Sequence, residues 1–578
     1  MILAAAGTQA MGYAFPLAMA IVGLLIVLTL SYEQTIHAYP GGGGAYIVSR
    51  DNLGEIPALI AGAALLTDYI LTVSVSISSG VAQIVSAYPA LFSFRAPLAV
   101  ILVLFIMLIN LRGVKESGFA FSIPTYFFLA MMFLTAGIGL FSYATGSLGV
   151  VLDPPDFEIS VLHPITLFLI LRAFSNGTTS LTGVEAISNG ISAFKEPRSR
   201  NAGITLIWMS VILGSLLLAI TFLSVHIGAA PSEFETVISQ LTRTVYGGRN
   251  FMYIGTVLGT TLILVMAANT AFADFPRLSA LVAADGYLPR QLAFKGSRLV
   301  YSYGITSLAL IASGLIVVFN ASVSALIPLY AIGVFLSFTL SQAGMTHRWW
   351  KMGHIQPGAE KVERGSTLRH DPRWFGKMIV NSAGSFATCI VMLIFAVTKF
   401  GEGAWFVLIL IPCLVGIFFI IHNHYRMLAS RLSLENYGEP PPYMGRHRVI
   451  VPVSNVHQGT LAALRYAHML SDDVTAVHVS VDPEETEKIQ KKWETWGKAT
   501  RLVVVASPYR LFLEPLLGYM EEIISSRQAN ETVTIVVPQF IPSTRVFNAL
   551  HMQTADMLRK ELLSKPGVVI TDVPYQIS

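Results

Sequence analysis

Long apolar runs alternate with short polar links over the first three quarters of the chain. A transmembrane helix needs about 20 mostly apolar residues in succession to cross about 30 Å of hydrocarbon. Eleven runs reach or approach that length, and the pattern therefore predicts a polytopic α-helical membrane protein. The runs lie at residues 15–36, 56–86, 96–111, 119–142, 164–192, 203–228, 252–273, 302–320, 323–345, 379–398 and 404–424.

The pattern changes after about residue 446, where short β-type runs alternate with amphipathic stretches. HRVIVPVSN (447–455) and DVTAVHVSV (473–481) have the character of buried strands, and a helical stretch separates them. Such alternation predicts a parallel, doubly wound α/β domain. We therefore divide the chain into a transport domain (1–432), a linker (433–446) and an α/β domain (447–578).

A ligand of the α/β domain is expected at the carboxyl ends of its strands, because doubly wound sheets bind ligands there. The loop Val453–Gly459 follows the first strand and is the candidate position. The alternative is a docking or dimerisation domain that holds no ligand.

Composition agrees with the hydropathy pattern. The chain is 53% hydrophobic and 12% charged, whereas soluble proteins average about 25% charged residues. Mean hydropathy is +0.62. These values exclude a disordered chain, a fibrous protein and an ordinary soluble enzyme. The net charge of +4 is too small to indicate nucleic acid as a partner.

Basic residues are distributed unevenly among the links. If the link after the first run is cytoplasmic, cytoplasmic links hold 19 Lys and Arg residues and the opposite links hold four. The positive-inside rule then predicts a protein of the inner (plasma) membrane whose α/β domain lies in the cytoplasm.

Eleven spans with a cytoplasmic carboxyl end place Met1 on the outer side. Residues 1–10 are apolar but too short to cross, and they lack the basic start of a secretory signal. We therefore expect that a further span lies upstream of this sequence. The alternative is a genuine outer amino terminus.

The second apolar run carries an acid and hydroxyls at helical spacing. Asp68, Thr72 and Ser76 recur at i, i+4 and i+8, so they share one helix face, and Ser79 and Gln83 lie near the same face. An acid with neutral oxygens suits a desolvated monovalent cation, because the oxygens replace its hydration shell. Helix packing is the alternative role for the hydroxyls.

The fifth run, FSNGTTSLTGVEAISNG (174–190), contains glycines and hydroxyls that interrupt a helix. Such a break exposes backbone groups near the membrane midplane. Thr178, Thr179, Ser180 and Thr182 supply oxygens there, and Glu185 is a candidate proton carrier. In the alternative interpretation Glu185 is structural and pairs with a neighbour such as Arg172.

Three further features have more than one interpretation. Tyr330 lies in an apolar run, where its hydroxyl either reaches a central cavity or packs. Asp274 and Arg277 begin a segment that either gates the cytoplasmic side or is a structural loop. YPGGGGAY (39–46) predicts a tight turn with close backbone approach. It lacks the GK[ST] ending of a phosphate-binding loop.

Several of these motifs together resemble a known family. YPGGGGAYIVSRDNLG resembles the amino acid–polyamine–cation superfamily. LLTDYILTVSVSISSGVAQI, LTGVEAISNGISAFKEP and a carboxyl-terminal domain similar to universal stress proteins resemble, more narrowly, the KimA-type potassium importers of the Kup group. The resemblance covers nearly the whole chain.

The resemblance implies a LeuT-type inverted repeat with broken first and sixth helices, in which the fifth run here is the sixth helix. It implies proton-coupled potassium symport by a homodimer whose cytoplasmic domains associate, and no cofactor. Cyclic di-AMP is the regulator that the resemblance suggests. Glu185 is the implied proton-linked carboxyl, and the implied potassium ligands are Asp68, Tyr69, Thr72, Ser76, Thr182 and Tyr330.

Two departures from the family pattern qualify these implications. The family's first helix supplies an acid and a tyrosine to the potassium site, and that helix is largely missing from this sequence. The Gly-x2-Gly-x9-Gly-[Ser/Thr] loop of ATP-binding universal stress proteins is also missing after Val503–Ala506, so ATP is not expected.

Two other functions remain open from the sequence. A proton-coupled amino acid permease would hold a carboxylate and an amine at half-helix ends, and would not need a stripe of acid and hydroxyls. A membrane-tethered nucleotide sensor would carry no flux. Uptake measurements distinguish all three.

Overall fold

The computed structural model describes residues 12–42, 44–113, 118–151, 165–230, 232–296, 299–363, 366–433, 445–507, 511, 513–528, 531–542, 553–563 and 567–577. Residues 1–10, most of the predicted linker and the counted basic residues Lys115, Arg298 and Arg364 lie outside this part of the chain. Internal contacts divide the chain into two units, Met1–Leu432 and Ser433–Ser578, which are described separately.

In the residues that the structure describes, the regular elements of the first unit are helices and one small hairpin. The antiparallel strands β1 (Glu360–Glu363) and β2 (Ser366–Arg369) form that hairpin. The helices are α1 (Ala14–Ala38), α2 (Ala45–Asn52), α3 (Glu55–Ala87), α4 (Arg95–Leu111), α5 (Gly118–Ala144), α6 (Leu167–Thr178), α7 (Val184–Asn189), α8 (Arg198–His226), α9 (Val237–Val245), α10 (Phe251–Ala284), α11 (Ser302–Val318), α12 (Val323–Gly353), α13 (Trp374–Thr398) and α14 (Ala404–Leu432).

Each of the eleven apolar runs coincides with a helix or a helix pair. Within the described residues, nine helices are long and apolar enough to cross a membrane. The run at 302–320 forms the shorter apolar helix α11. The run at 164–192 is broken into α6 and α7, with a 3₁₀ turn at Thr179–Leu181 between them. The predicted discontinuity therefore lies where the glycines and hydroxyls occur.

Helices α3 and α12 form the centre of the bundle. In the most apolar 18-residue stretch of each helix, 78% of α3 and 61% of α12 is buried, whereas the corresponding share is 17–39% in the other seven long helices. The two helices pack closely at Gly333, where an added Cβ would lie 3.0 Å from the carbonyl oxygen of Ala64. A polar residue on either helix is therefore held inside protein, where its position is fixed by packing.

The long helices, with α6 and α7 counted together as one broken span, run in alternate directions and define two ends of the bundle. One end, called the basic end here, contains Ala38, Glu55, Leu111 and Gly353 together with most of the basic links. The opposite end contains the start of α4 and the link between α8 and α9.

The second unit is a five-stranded parallel sheet with the strand order β5-β4-β3-β6-β7. Its helices cover both faces, as two separate hydrophobic clusters show. The predicted parallel α/β domain is therefore confirmed. The elements are β3 (Arg446–Pro452), α15 (Gln458–Leu470), β4 (Asp473–Ser480), α16 (Pro483–Trp496), β5 (Arg501–Ala506), α17 (Leu513–Ser525), β6 (Glu531–Pro542), α18 (Gln553–Leu562) and β7 (Val568–Ile577).

In this strand order the chain moves outward from β3 in one direction to β4 and β5, and in the other direction to β6 and β7. A sheet of this kind has a crevice at the carboxyl ends of the two strands where the direction changes, here β3 and β6. The loop Val453–Gly459 leaves β3 at this point. His457 caps α15 by accepting the backbone N–H of Thr460 at 3.1 Å. Partial burial holds the pKa of His457 below its usual value, so the ring is neutral at pH 7 and can accept this bond.

Candidate functional site

A cavity of about 150 Å³ lies between α3, α7, α10 and α12. We call it the central cavity. The seven residues that sequence and resemblance single out come from three of these helices and from the break before α7. All of them line the cavity: Asp68, Tyr69, Thr72, Ser76, Thr182, Glu185 and Tyr330.

Helix α3 presents the predicted stripe to the central cavity. Asp68, Thr72 and Ser76 follow one face because α3 is continuous there. Asp68 is 9% exposed, and its Oδ1 atom has no hydrogen-bond partner among the described residues. A buried carboxylate oxygen without a partner is costly in a membrane protein. A bound cation would remove that cost.

The break in the fifth run places one of its four hydroxyls in the cavity. Thr178, Thr179 and Ser180 donate to carbonyl oxygens three residues earlier, at 2.8, 2.7 and 2.9 Å. Their hydroxyl protons are therefore committed to the local backbone. Thr182 lines the cavity, as does Tyr330, whose hydroxyl lies 3.4 Å from that of Thr72.

Glu185 is buried at the start of α7, with 5% of its surface exposed. Its Oε1 atom accepts the backbone N–H of Ala45 at 3.2 Å. Its Oε2 atom lies 2.9 Å from the Ser337 hydroxyl on α12. This carboxyl therefore joins three segments that are far apart in sequence.

The suggestion that Arg172 pairs with Glu185 is wrong. Arg172 forms an ion pair with Glu402, which also binds the buried Lys399 at 2.7 Å. This cluster ties α6 to the turn between α13 and α14 at the end of the bundle opposite the basic end. Arg172 lies on α6, 13 residues before Glu185 on α7, so the two side chains lie at different depths along the broken helix.

The glycine-rich link before α2 approaches the broken helix closely, as the sequence predicted. A Cβ at Gly44 would collide with the Asn189 amide at the end of α7. The same Asn189 donates its Nδ2 hydrogen to the Tyr69 hydroxyl at 2.8 Å. Gly44 therefore allows the Ala45 N–H to reach Glu185 and Asn189 to reach Tyr69.

Replacing Gly44 with Ala is expected to lower the melting temperature in detergent by several degrees and the uptake rate about tenfold. The backbone angles of Gly44 suit any residue, so the cost is the collision with Asn189. Gly41→Ala is the matched control, because nothing lies within 4 Å of a Cβ there. Equal effects of the two substitutions would contradict the packing argument.

Sequence reasoning missed two polar residues of the cavity and misplaced a third. Asn189 and Thr270 line the cavity, but they are uncharged residues and neither of them was singled out by the sequence analysis. Asp274 also lines it and is inside α10, which continues through Pro276 to Ala284. The interpretation of Asp274–Arg277 as the start of a link outside the span is therefore wrong. The i, i+4 spacing of Thr270 and Asp274 was the available signal.

The three acids of the cavity are spread over different helices. Asp68 is on α3, Glu185 is on α7 and Asp274 is on α10. The Asp274 carboxylate lies 3.9 Å from the guanidinium of Arg277. Among the described residues, no three His, Cys, Asp or Glu side chains lie close enough to hold one metal ion together. A cation in this cavity would therefore depend on neutral oxygens for part of its coordination shell.

Comparison with known proteins agrees with this architecture. The family model described as an amino acid permease matches residues 1–422. The model described as the KimA potassium transporter C-terminal domain matches residues 445–575.

Two relatives and one solved structure extend the comparison. The potassium transporter KimA of Bacillus subtilis (strain 168) is 43% identical over 580 residues, covering 99% of this chain and 91% of that protein. The low-affinity putrescine importer PlaP of Escherichia coli (strain K12) is 22% identical, covering 48% of this chain and 60% of its own. A crystal structure of the Eremococcus coleocola manganese transporter covers 73% of this chain and 95% of its own, with 15% identity and a TM-score of 0.31.

The resemblance to the KimA-type potassium importers is therefore confirmed over nearly the full chain. The fold is that of a permease-type membrane domain followed by a separate parallel α/β domain. The chain belongs to the amino acid permease family, and within it to the proteins that carry a KimA-type carboxyl-terminal domain.

Proposed function

We propose that this protein imports potassium by alternating access, as a symporter coupled to protons. The observation that carries the proposal is the unpartnered Oδ1 atom of Asp68 in a cavity lined by neutral oxygens. The name of the Bacillus subtilis relative supports the choice of potassium. The protein is a transporter and not an enzyme.

Potassium is held in this proposal by one charge and several neutral oxygens. Asp68 supplies the charge, while hydroxyls and backbone carbonyls replace the water that the ion loses. The oxygens come from α3, the broken helix and α12, so movement of the broken helix changes the coordination shell. The neutral ligands in this set are Tyr69, Thr72, Ser76, Thr182 and Tyr330.

Proton coupling is assigned to Glu185 because of its contact with Ser337. The Ser337 hydroxyl lies 2.9 Å from Glu185 Oε2 and 2.8 Å from the Val334 carbonyl oxygen. A hydroxyl has one proton, so it can donate to only one of these two acceptors. When Ser337 donates to Val334, a protonated Glu185 supplies the other bond. When Glu185 is ionised, Ser337 donates to it instead.

The charge bias of the links supports the orientation. We place the basic end of the bundle on the cytoplasmic side of the plasma membrane, together with the α/β domain. Outside potassium would then approach from the end that contains the link between α8 and α9.

The remaining partners follow the family resemblance. We propose a homodimer that associates through the α/β domains, and cyclic di-AMP as a regulator that binds this domain. No cofactor and no nucleic acid are assigned to the protein, and the lipid bilayer is its environment.

Uptake in a potassium-uptake-deficient bacterium tests the proposal. Cells that express the protein are expected to grow at low potassium and to accumulate rubidium-86, while cells with the empty vector do not. Well-expressed protein without rubidium uptake would overturn the proposal. Uptake of radiolabelled amino acids or putrescine by the same cells would then favour a permease, and no flux of any kind would favour a sensor.

A further inference from the structure

A second polar cavity of about 430 Å³ lies at the end of the bundle opposite the basic end. We call it the outer cavity. It is bounded by α3, by the start of α4, by the link between α8 and α9, and by the start of α12. Among the described residues its polar lining consists mainly of hydroxyls and one amide, with one acid, Glu233, and one guanidinium, Arg95.

The polar stripe of α3 connects the two cavities. Ser76 lines the central cavity, and Ser79 and Gln83, three and seven residues later, line the outer cavity. Ser79 is about 16 Å along the helix axis from Asp68 at 1.5 Å per residue. An ion that reaches the outer cavity therefore has oxygen atoms along one helix face in the direction of Asp68.

The outer cavity contains a buried oxygen that lacks a partner. Ser78 is 1% exposed, lines the cavity, and its hydroxyl has no hydrogen-bond partner among the described residues. A buried hydroxyl without a partner is unusual in a folded protein. A ligand that coordinates the Ser78 hydroxyl oxygen, or that forms a hydrogen bond with this hydroxyl, would provide the missing partner.

Glu233 joins the segments around the outer cavity. Its Oε2 atom lies 3.2 Å from Nη1 of Arg95, and its Oε1 atom accepts the Ser322 hydroxyl at 3.1 Å. The three residues come from three separate parts of the bundle. The Glu233 side chain is 50% exposed, so an ion from the adjacent solution can reach its carboxylate.

Arg95 holds Glu233 through one hydrogen bond and not through a bidentate pair. Its Nε atom is buried without a partner among the described residues, and its guanidinium lies 4.3 Å from the ring centre of Phe92. The ion pair therefore lacks the two parallel bonds that make arginine–carboxylate pairs strong. A competing cation can displace the guanidinium while the Phe92 ring still stabilises its charge.

We propose that the outer cavity is a second cation site, at which a monovalent alkali cation binds Glu233 before it moves to the central cavity. In the arrangement seen here Arg95 occupies the place of that cation as a tethered counter-ion, so the carboxylate is neutralised when no ion is bound. The proposal rests on the proposed potassium import. The site itself is defined by binding, which can be measured without flux.

The test uses the whole chain in membranes, with the substitutions Cys389→Ala and Cys413→Ala and the reporter substitution Ser324→Cys. Ser324 is exposed and lines the outer cavity, and no role in ion binding is assigned to it. The rate of labelling by a membrane-impermeant cationic methanethiosulfonate is measured with potassium chloride or choline chloride at equal ionic strength. An anionic methanethiosulfonate serves as the matched control reagent.

We expect potassium to slow cationic labelling severalfold and to accelerate anionic labelling, because a bound cation changes the local potential. Arg95→Gln is expected to lower the half-effective potassium concentration about tenfold, because the competing guanidinium is gone. Glu233→Gln is expected to abolish both effects. Glu233→Asp retains the charge and is expected to keep a weaker effect, so a fold defect in one variant does not decide the result.

The outer site would be overturned if potassium had no effect on the labelling rate of the parent protein. It would also be overturned if the effects of potassium in Glu233→Gln and Glu233→Asp were the same as in the parent. Equal slowing of both reagents would also overturn it, because that result indicates a conformational change without local charge. If rubidium uptake is absent while these charge effects are present, the transport proposal fails and the outer site stands.

Discussion

Replacing Asp68 with Asn is expected to abolish potassium uptake at equal expression. The substitution keeps the shape of the side chain and removes the charge that the central cavity offers to a cation. A charge pair at about 4 Å is worth about 4 kcal/mol at an effective dielectric constant of about 20. Since about 1.4 kcal/mol corresponds to a factor of ten, the expected loss in kcat/KM for uptake is roughly 1000-fold.

Rubidium-86 uptake over a range of external potassium measures this loss. Glu55→Gln is the matched control, because it removes a carboxylate from the exposed first turn of the same helix. The control is expected to retain uptake within about twofold. If Asp68→Asn retained half of the parental rate at low potassium, a different group would have to supply the charge for the ion.

Replacing Glu185 with Gln is expected to remove the pH dependence of uptake. In an inward symporter, uptake by the parent protein rises as the external solution is made more acidic. The amide side chain of the Glu185→Gln variant can still accept the Ala45 N–H and contact Ser337, but it cannot exchange a proton. Uptake should then become slow and equal at acidic and alkaline external pH.

The measurement is rubidium uptake by cells or proteoliposomes at several external pH values with a constant internal pH. Ser337→Ala removes the hydrogen-bond partner of Glu185 but leaves the carboxyl that exchanges the proton. We therefore expect uptake to be retained and the midpoint of its pH profile to be displaced. Glu33→Gln on α1 serves as the control for loss of a carboxylate elsewhere in the bundle. A parental pH response in Glu185→Gln would exclude Glu185 as the coupling group.

The contacts of Glu185 suggest how a proton changes the shape of the site. One carboxyl oxygen meets the first residue of α2, and the other meets α12. Ionisation turns the Ser337 hydroxyl from Val334 towards Glu185, and this strengthens the link between α7 and α12. The proposed cation ligand Thr182 lies three residues before Glu185, so in this proposal the proton and the ion act on the same broken helix.

The sequence determined the spans and the α/β domain through constraints that are local. A bilayer requires about 20 apolar residues for each crossing, so the eleven runs were visible without any structure. Alternation of strand and helix patterns likewise predicted the parallel sheet. The α3 stripe was predictable because Asp68, Thr72 and Ser76 lie on one continuous helix, whose period of 3.6 residues fixes their common face.

The tertiary structure decided which polar groups meet. Thr182 lines the cavity while the three hydroxyls before it bond to their own backbone, because the 3₁₀ turn sets their directions. Asp274 belongs to the cavity although its charge placed it outside the apolar run. Arg172 pairs with Glu402, which is 230 residues away. Helix rotation and long-range pairing depend on how whole helices pack, and the residues of a single span do not specify them.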